Sequence, residues 1–171
     1  MIFGQRHWTN GMACSRGKGM AMRIMLDTNI LIDLFACREE FYREALEIKA
    51  MGLYGDAELW VSAKSFTDVF FVMRHREGFS SGEIQDIFLK NMDYLNVCSV
   101  DGADIIKAAN LKWPDFEDCL VSCCADKANA DFLLTRDKKG FRRANVAAYS
   151  PAEFFVWLEE EYGIVYDEID L

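Results

Sequence analysis

The chain has 171 residues, of which 51% are hydrophobic and 13% aromatic, and a net charge of −9 at pH 7. That apolar content supplies one buried core and excludes an intrinsically disordered chain. The longest apolar runs, such as Val69 to Met73, fall far short of the roughly 20 residues that a bilayer span needs.

Residues 1–21 hold four glycines and scattered basic residues without a period. They are expected to be a flexible extension, or the product of an upstream start assignment with Met20 or Met22 as the true first residue. A transit peptide is a weaker alternative. From Arg23 the pattern sharpens. Arg23-Ile24-Met25-Leu26 reads as a strand that ends at Asp27-Thr28-Asn29, and one of those three residues caps a helix beginning at Ile30. Glu39 to Met51 is an amphipathic helix closed by Gly52 and Gly55. Leu59 to Ser62 is a second strand. Lys64 to His75 follows as a helix, with Phe66, Val69, Phe70 and Met73 on one face.

Ser80 or Ser81 with Glu83 opens a further helix to Asp93, and Leu95 to Val100 is a third strand. Asp101 to Leu111 is helical. After Pro114, Asp115-Phe116-Glu117-Asp118 leads into a helix through Ala130. Asp131 to Thr135 is a fourth strand, closed by Arg136-Asp137, and Val146 to Tyr149 is a fifth. Ser150-Pro151-Ala152-Glu153 combines a capping serine, a proline at the first helical position and a glutamate at the third, so a final helix starts there. Alternating strands and helices predict an α/β fold: a three-layer α/β/α sandwich around a mainly parallel sheet. The expected division is an extension at 1–21, one domain at 22–158 and an acidic tail at 159–171.

None of the six cysteines forms a C-x-x-C pair. They read as small buried hydrophobes in a reducing, cytoplasmic protein. The negative charge argues against a polyanionic partner. Even with the six acids of 159–171 and the four basic residues of 1–23 set aside, the body carries −7. Divalent cations in a carboxylate cluster would reverse that local charge.

In such folds ligands bind beyond the carboxyl ends of the strands. Asp27 and Asp137 fall at strand ends; Asp68 and Asp118 fall in the first turns of helices. Singly, each has an ordinary explanation as a cap, a surface acid, a dipole partner or a turn former. Together they form a cluster that repels itself unless hard cations sit within it, and carboxylate oxygens suit Mg2+ or Mn2+.

Three segments carry a resemblance: Ile24-Met25-Leu26-Asp27-Thr28-Asn29-Ile30-Leu31-Ile32-Asp33, Asp115-Phe116-Glu117-Asp118-Cys119-Leu120, and Leu133-Leu134-Thr135-Arg136-Asp137-Lys138-Lys139-Gly140-Phe141. They resemble the PIN-domain nucleases, in particular the VapC-like toxins of bacterial toxin–antitoxin pairs. The likeness runs from about Arg23 to Leu158 and includes the closing Tyr149 to Phe155. It implies a metal-dependent endoribonuclease in which Asp27, Asp68, Asp118 and Asp137 hold Mg2+ or Mn2+. Asp68 stands where the family usually has glutamate. Asn29, Thr135 and Asp115 are candidates to orient those carboxylates, Asp115 also as a replacement for Asp118. Asp33 is expected to face solvent or a neighbour. Arg136, Lys138 and Lys139, with Arg142 and Arg143, either steer a phosphate backbone or form a solvated loop. Trp113 and Phe116 are expected to pack, with base stacking the second option.

The resemblance also implies an RNA substrate, an antitoxin partner and a homodimer. The competing reading is a catalytically weak PIN domain that binds RNA or protein. A haloacid-dehalogenase-type phosphatase is discounted, because Asn29 stands where that family has its second aspartate.

Overall fold

The computed structural model describes the strand His7–Trp8 and residues 22–166. In chain order the elements are β1 (His7–Trp8), β2 (Met22–Leu26), α1 (Thr28–Phe35), α2 (Tyr42–Tyr54), β3 (Ala57–Ser62), α3 (Ala63–His75), α4 (Ser81–Asn91) and β4 (Leu95–Cys98). They continue as α5 (Gly102–Leu111), α6 (Phe116–Lys127), β5 (Phe132–Leu134), β6 (Ala148–Tyr149), α7 (Pro151–Tyr162) and β7 (Ile164–Val165). The helix expected from Glu39 opens instead with one 3-10 turn, Glu39–Phe41. The third strand stops at Cys98, ahead of Asp101, whose carboxylate caps α5 through the amides of Ala103 and Asp104.

Five strands form one sheet in the order β4-β3-β2-β5-β6, and every pair is parallel. The three-layer sandwich is therefore present, with a central sheet that is parallel throughout. β2 is the middle strand and is apolar on both faces: Ile24, Met25 and Leu26 are fully buried. Such continuous apolar runs are what a parallel sheet covered on both sides requires. Ile24 and Leu26 join a core with residues of α1, α2, α3 and α7, while Met25 packs with Val121, Cys124 and Ala125 of α6 on the other face.

The chain proceeds outward from β2 through β3 to β4, then returns to place β5 on the opposite side of β2. The strand order thus reverses between β2 and β5. A crevice opens at such a reversal, beyond the carboxyl ends of the two strands, and ligands of open α/β sheets bind there.

α7 begins as expected. Ser150 Oγ accepts from the Glu153 amide, and the Glu153 carboxylate accepts from the Ser150 amide. The fully buried Phe154 holds α7 on the sheet, edge-on to Phe132 and 5.8 Å from Trp157 between ring centroids. Burying such a side chain is worth about 1.5–3 kcal/mol. The segment expected as an acidic tail from 159 starts inside α7, and β7 follows it. β7 pairs antiparallel with β1, His7 opposite Val165 and Trp8 opposite Ile164. The rest of the expected N-terminal extension and the acids at 167–170 lie outside the described residues.

Four of the cysteines, Cys98, Cys119, Cys123 and Cys124, are buried as expected, whereas Cys37 is exposed. Cys14 lies outside the described residues.

Candidate active site at the sheet reversal

The register Leu26↔Leu134 between β2 and β5 sets the next residues, Asp27 and Thr135, side by side. Asp27 ends β2 and caps α1. It is 5% exposed, and three donors fix its carboxylate. Oδ1 accepts from the Thr28 amide at 2.7 Å. Oδ2 accepts from Asn29 Nδ2 at 2.6 Å and from Thr135 Oγ1 at 2.7 Å.

The supporting groups are fixed in turn. Asn29 Oδ1 accepts from the Arg136 amide at 3.1 Å, and Thr135 Oγ1 accepts from the Asp137 amide at 2.9 Å. Of the candidates Asn29, Thr135 and Asp115, the first two thus donate to the Asp27 carboxylate. Burial pushes the Asp27 carboxyl above its ordinary range, the Thr135 and Thr28 hydrogen bonds oppose that shift, and the Asp137 charge adds to it.

Asp118 faces Asp27 and Asp137 from the first turn of α6. Its carboxyl is pushed up to about 7, mainly by burial and then by the charges of Asp115, Asp27, Asp137 and Glu117. Asp115 itself is the cap of α6: Oδ1 accepts from the amides of Glu117 at 2.8 Å and Asp118 at 3.2 Å. It therefore sets the helix start that presents Asp118 and adds negative charge beside it.

Asp68 has different company. Its Oδ2 lies 2.5 Å from Lys64 Nζ, and Lys64 also reaches Glu117 Oε1 at 2.7 Å. The charges acting on Asp68 are those of Lys64 and Glu117. The structure thus brings Asp27, Asp118 and Asp137 together and sets Asp68 on the flank with a lysine. Among the described residues, no three acidic, histidine or cysteine side chains are already gathered around one point in the way a bound metal would hold them.

The loop after Asp137 completes the pocket. Asp137 Oδ1 accepts from the Lys139 amide at 3.1 Å. At Gly140 a side chain would drive its Cβ into the Asp118 carboxylate, with Asp137's carbonyl 3.5 Å away. Glycine at 140 is what leaves Asp118 its place. Gly140→Ala is expected to fold with a loss under about 1 kcal/mol, because a side-chain carboxylate can rotate away. It is expected to lose activity by an order of magnitude or more. Chemical denaturation beside a cleavage assay checks both halves.

The basic residues beside Asp137 are largely engaged. Arg136 Nε lies 2.9 Å from Asp33 Oδ2, and its guanidinium stacks over Phe41 at 4.2 Å. Lys138 Nζ lies 2.5 Å from Glu153 Oε1. Arg143 donates to the carbonyls of Leu111 and Lys112 and lies over Trp113. Lys139 and Arg142 are exposed. Trp113 packs beside the buried cysteines of α6, and Phe116 is 43% exposed.

Sequence reasoning did not single out Lys64, Glu117 or Gly140. The Lys64–Asp68 spacing of four on a helix was a usable local signal. The approach of Glu117 and the closeness of Gly140 to Asp118 are tertiary facts with no local sign. Asp33, expected at solvent or a neighbour, is 2% exposed and takes the neighbour: Arg136 on Oδ2, with Arg38 at 3.7 Å from Oδ1.

A family model described as PIN domain matches residues 23–139, which contain all of these acids. The chain belongs to the PIN domain family. Solved structures of low identity share the fold. The VapBC2 structure from Rickettsia felis, bound to a DNA fragment from its promoter, aligns with a TM-score of 0.57 and 17% identity, over 75% of this chain and 98% of that one. A toxin–antitoxin complex from Klebsiella pneumoniae aligns with a TM-score of 0.54 and 22% identity, over 75% and 97%. VapC20 from Mycobacterium tuberculosis, a sarcin–ricin loop cleaving toxin, aligns with a TM-score of 0.55 and 13% identity, over 68% and 92%. No curated protein matches the sequence. PIN-domain membership rests on the family model, and these solved structures, all under 25% identical, add a shared fold. No described helix is long and apolar enough to cross a membrane.

Proposed function

We propose that this PIN domain is a metal-dependent endoribonuclease, acting as the toxin of a toxin–antitoxin pair in the cytoplasm. The observation that carries the reading is that three carboxylates at the reversal point of the sheet, Asp27, Asp118 and Asp137, lie within reach of one another's charge, with Asp118 pushed up to about 7 by burial and its acidic neighbours. An acid pocket of this kind is short of positive charge, and its hard oxygen donors suit Mg2+ or Mn2+. The space kept open at Gly140 supports the same reading.

Asp27, Asp118 and Asp137 would hold the ion. A divalent cation bound there supplies Lewis acidity to the phosphodiester and lowers the pKa of a bound water. The chain's own residues do the rest. Asn29, Thr135 and the Thr28 amide hold the Asp27 carboxylate in place. Asp115 fixes the start of α6 and so the place of Asp118. The exposed Lys139 and Arg142 are the basic side chains next to the pocket with which to meet a phosphate backbone. RNA as substrate draws support from VapC20, and an antitoxin partner from the complexes of the other two similar structures. Residues 22–158 are the proposed catalytic domain, and a homodimer is the proposed assembly.

Purified protein is expected to cut a mixed RNA pool with Mg2+ or Mn2+, to stop in excess chelator and to spare a DNA pool of matched sequence. Absence of both cutting and metal binding from well-folded protein would transfer the assignment to an RNA- or protein-binding module.

A further inference from the structure

Lys64 stands in the first turn of α3, which packs on one face of the sheet; Glu117 stands in the first turn of α6, which packs on the other. The lysine therefore bridges the two helical layers at the carboxyl end of the sheet, 2.5 Å from Asp68 Oδ2 and 2.7 Å from Glu117 Oε1. Two contacts tie this ammonium to the acid pocket. Glu117 is the chain neighbour of Asp118. Ser65, the neighbour of Lys64, is fully buried and accepts from Thr28 Oγ1 at 2.9 Å, directly beside Asp27.

Hydrolysis of a phosphodiester by two ions places positive charge at two points about 3.5–4 Å apart, one serving the attacking oxygen and one the leaving oxygen. Here the carboxylates divide into two groups. Among the described residues Asp27, Asp118 and Asp137 make no ion pair, and Arg136 acts on Asp27 only as a neighbouring charge, whereas Asp68 and Glu117 already share a lysine. Lysine offers three N–H donors in a compact, strongly hydrated charge. Two are spent on Asp68 and Glu117, which leaves the third for a phosphate oxygen.

We propose that Lys64 is a built-in second cation: the site takes one divalent ion, on Asp27, Asp118 and Asp137, and the Lys64 ammonium held by Asp68 and Glu117 supplies the other positive charge to the phosphodiester. This rests on the metal-dependent reading above and goes beyond it by fixing the ion count and giving Asp68 a role other than ligand. A second divalent ion at Asp68 and Glu117 would have to displace an ammonium that makes two ion pairs.

Counting bound Mn2+ by electron paramagnetic resonance titration tests this without relying on turnover. Wild type is expected to bind one ion per chain at saturation. Lys64→Ala frees two carboxylates and is expected to bind two, while Lys64→Arg keeps the charge and stays at one; circular dichroism confirms that each variant is folded. Two ions on wild type, or a single ion on Lys64→Ala at millimolar Mn2+, would overturn the role given to Lys64 and leave the metal-dependent reading standing. No ion on wild type would instead overturn the metal-dependent reading, and this inference with it.

Discussion

Asp27→Asn is expected to lower metal-dependent cleavage by about three orders of magnitude and, unlike a simple charge neutralisation, to destabilise the fold by about 1–3 kcal/mol. The first effect follows from the proposed role: a lost anionic ligand removes several kcal/mol of transition-state stabilisation, and each 1.36 kcal/mol is tenfold in rate. The second follows from the direction of the hydrogen bonds. Asp27 accepts at both oxygens, from Thr28 on one side and from Asn29 and Thr135 on the other.

An asparagine must put an N–H2 on one of those sides. Its partners cannot turn to accept. Asn29 is committed by the Arg136 amide on its carbonyl oxygen, and Thr135 Oγ1 already accepts from the Asp137 amide and from Asn29 Nδ2. The variant therefore buries a donor against donors. Denaturant unfolding in chelator measures the stability, and cleavage in Mn2+ measures the rate. Wild-type cleavage by the variant would remove Asp27 from the site. Unchanged stability would mean that the network lacks the fixed direction described here.

This consequence marks the limit of what the sequence made legible. From the sequence alone, Asp27 and Asp118 stood alike, as two members of an acid cluster that repels itself. The strand end at Asp27, the helix start after Pro114 and the turn at Asp137 were readable because hydrophobic period and capping chemistry change locally at those points. The candidates Asn29 and Thr135 were readable by their places beside the acids. Which strand pairs with β2 was not. The Leu26↔Leu134 register joins residues 108 apart and alone puts Thr135 against Asp27. Asp68 fell on the right helix with an unrecognised partner, because Glu117, which shares Lys64 with it, arrives from another layer. The basic cluster at 136–143 looked uniform in sequence, yet Arg136 is held by Asp33, a residue made buried only by tertiary packing.

Asp118→Asn is expected to abolish cleavage as well, but to raise the stability of the metal-free protein at pH 8 by about 1–2 kcal/mol. The Asp118 carboxyl is pushed from 3.8 to about 7, by burial first and then by Asp115, Asp27, Asp137 and Glu117. A carboxyl whose pKa is raised on folding prefers its neutral form in the folded state. Below about pH 4 it is protonated whether folded or unfolded and costs nothing. As pH rises from about 4 to about 7 the unfolded chain loses this proton first, the cost of ionising the folded site accumulates, and above about 7 it is constant.

A shift of this size corresponds to about 4 kcal/mol with no solvent screening. Asp118 is only half-buried, so the smaller figure is the expected one. In chelator, the stability curves of wild type and variant should coincide below pH 4 and separate steadily up to about pH 7. Mn2+ should then close the gap from the wild-type side, since an ion bound only by the folded site stabilises it by mass action and the variant lacks a ligand for it. Curves that run parallel from pH 4 to pH 8 would mean that Asp27, Asp118 and Asp137 do not share a field. Separation in chelator without recovery in Mn2+ would mean that burial and acidic neighbours raise the Asp118 carboxyl but that the three acids do not hold the ion.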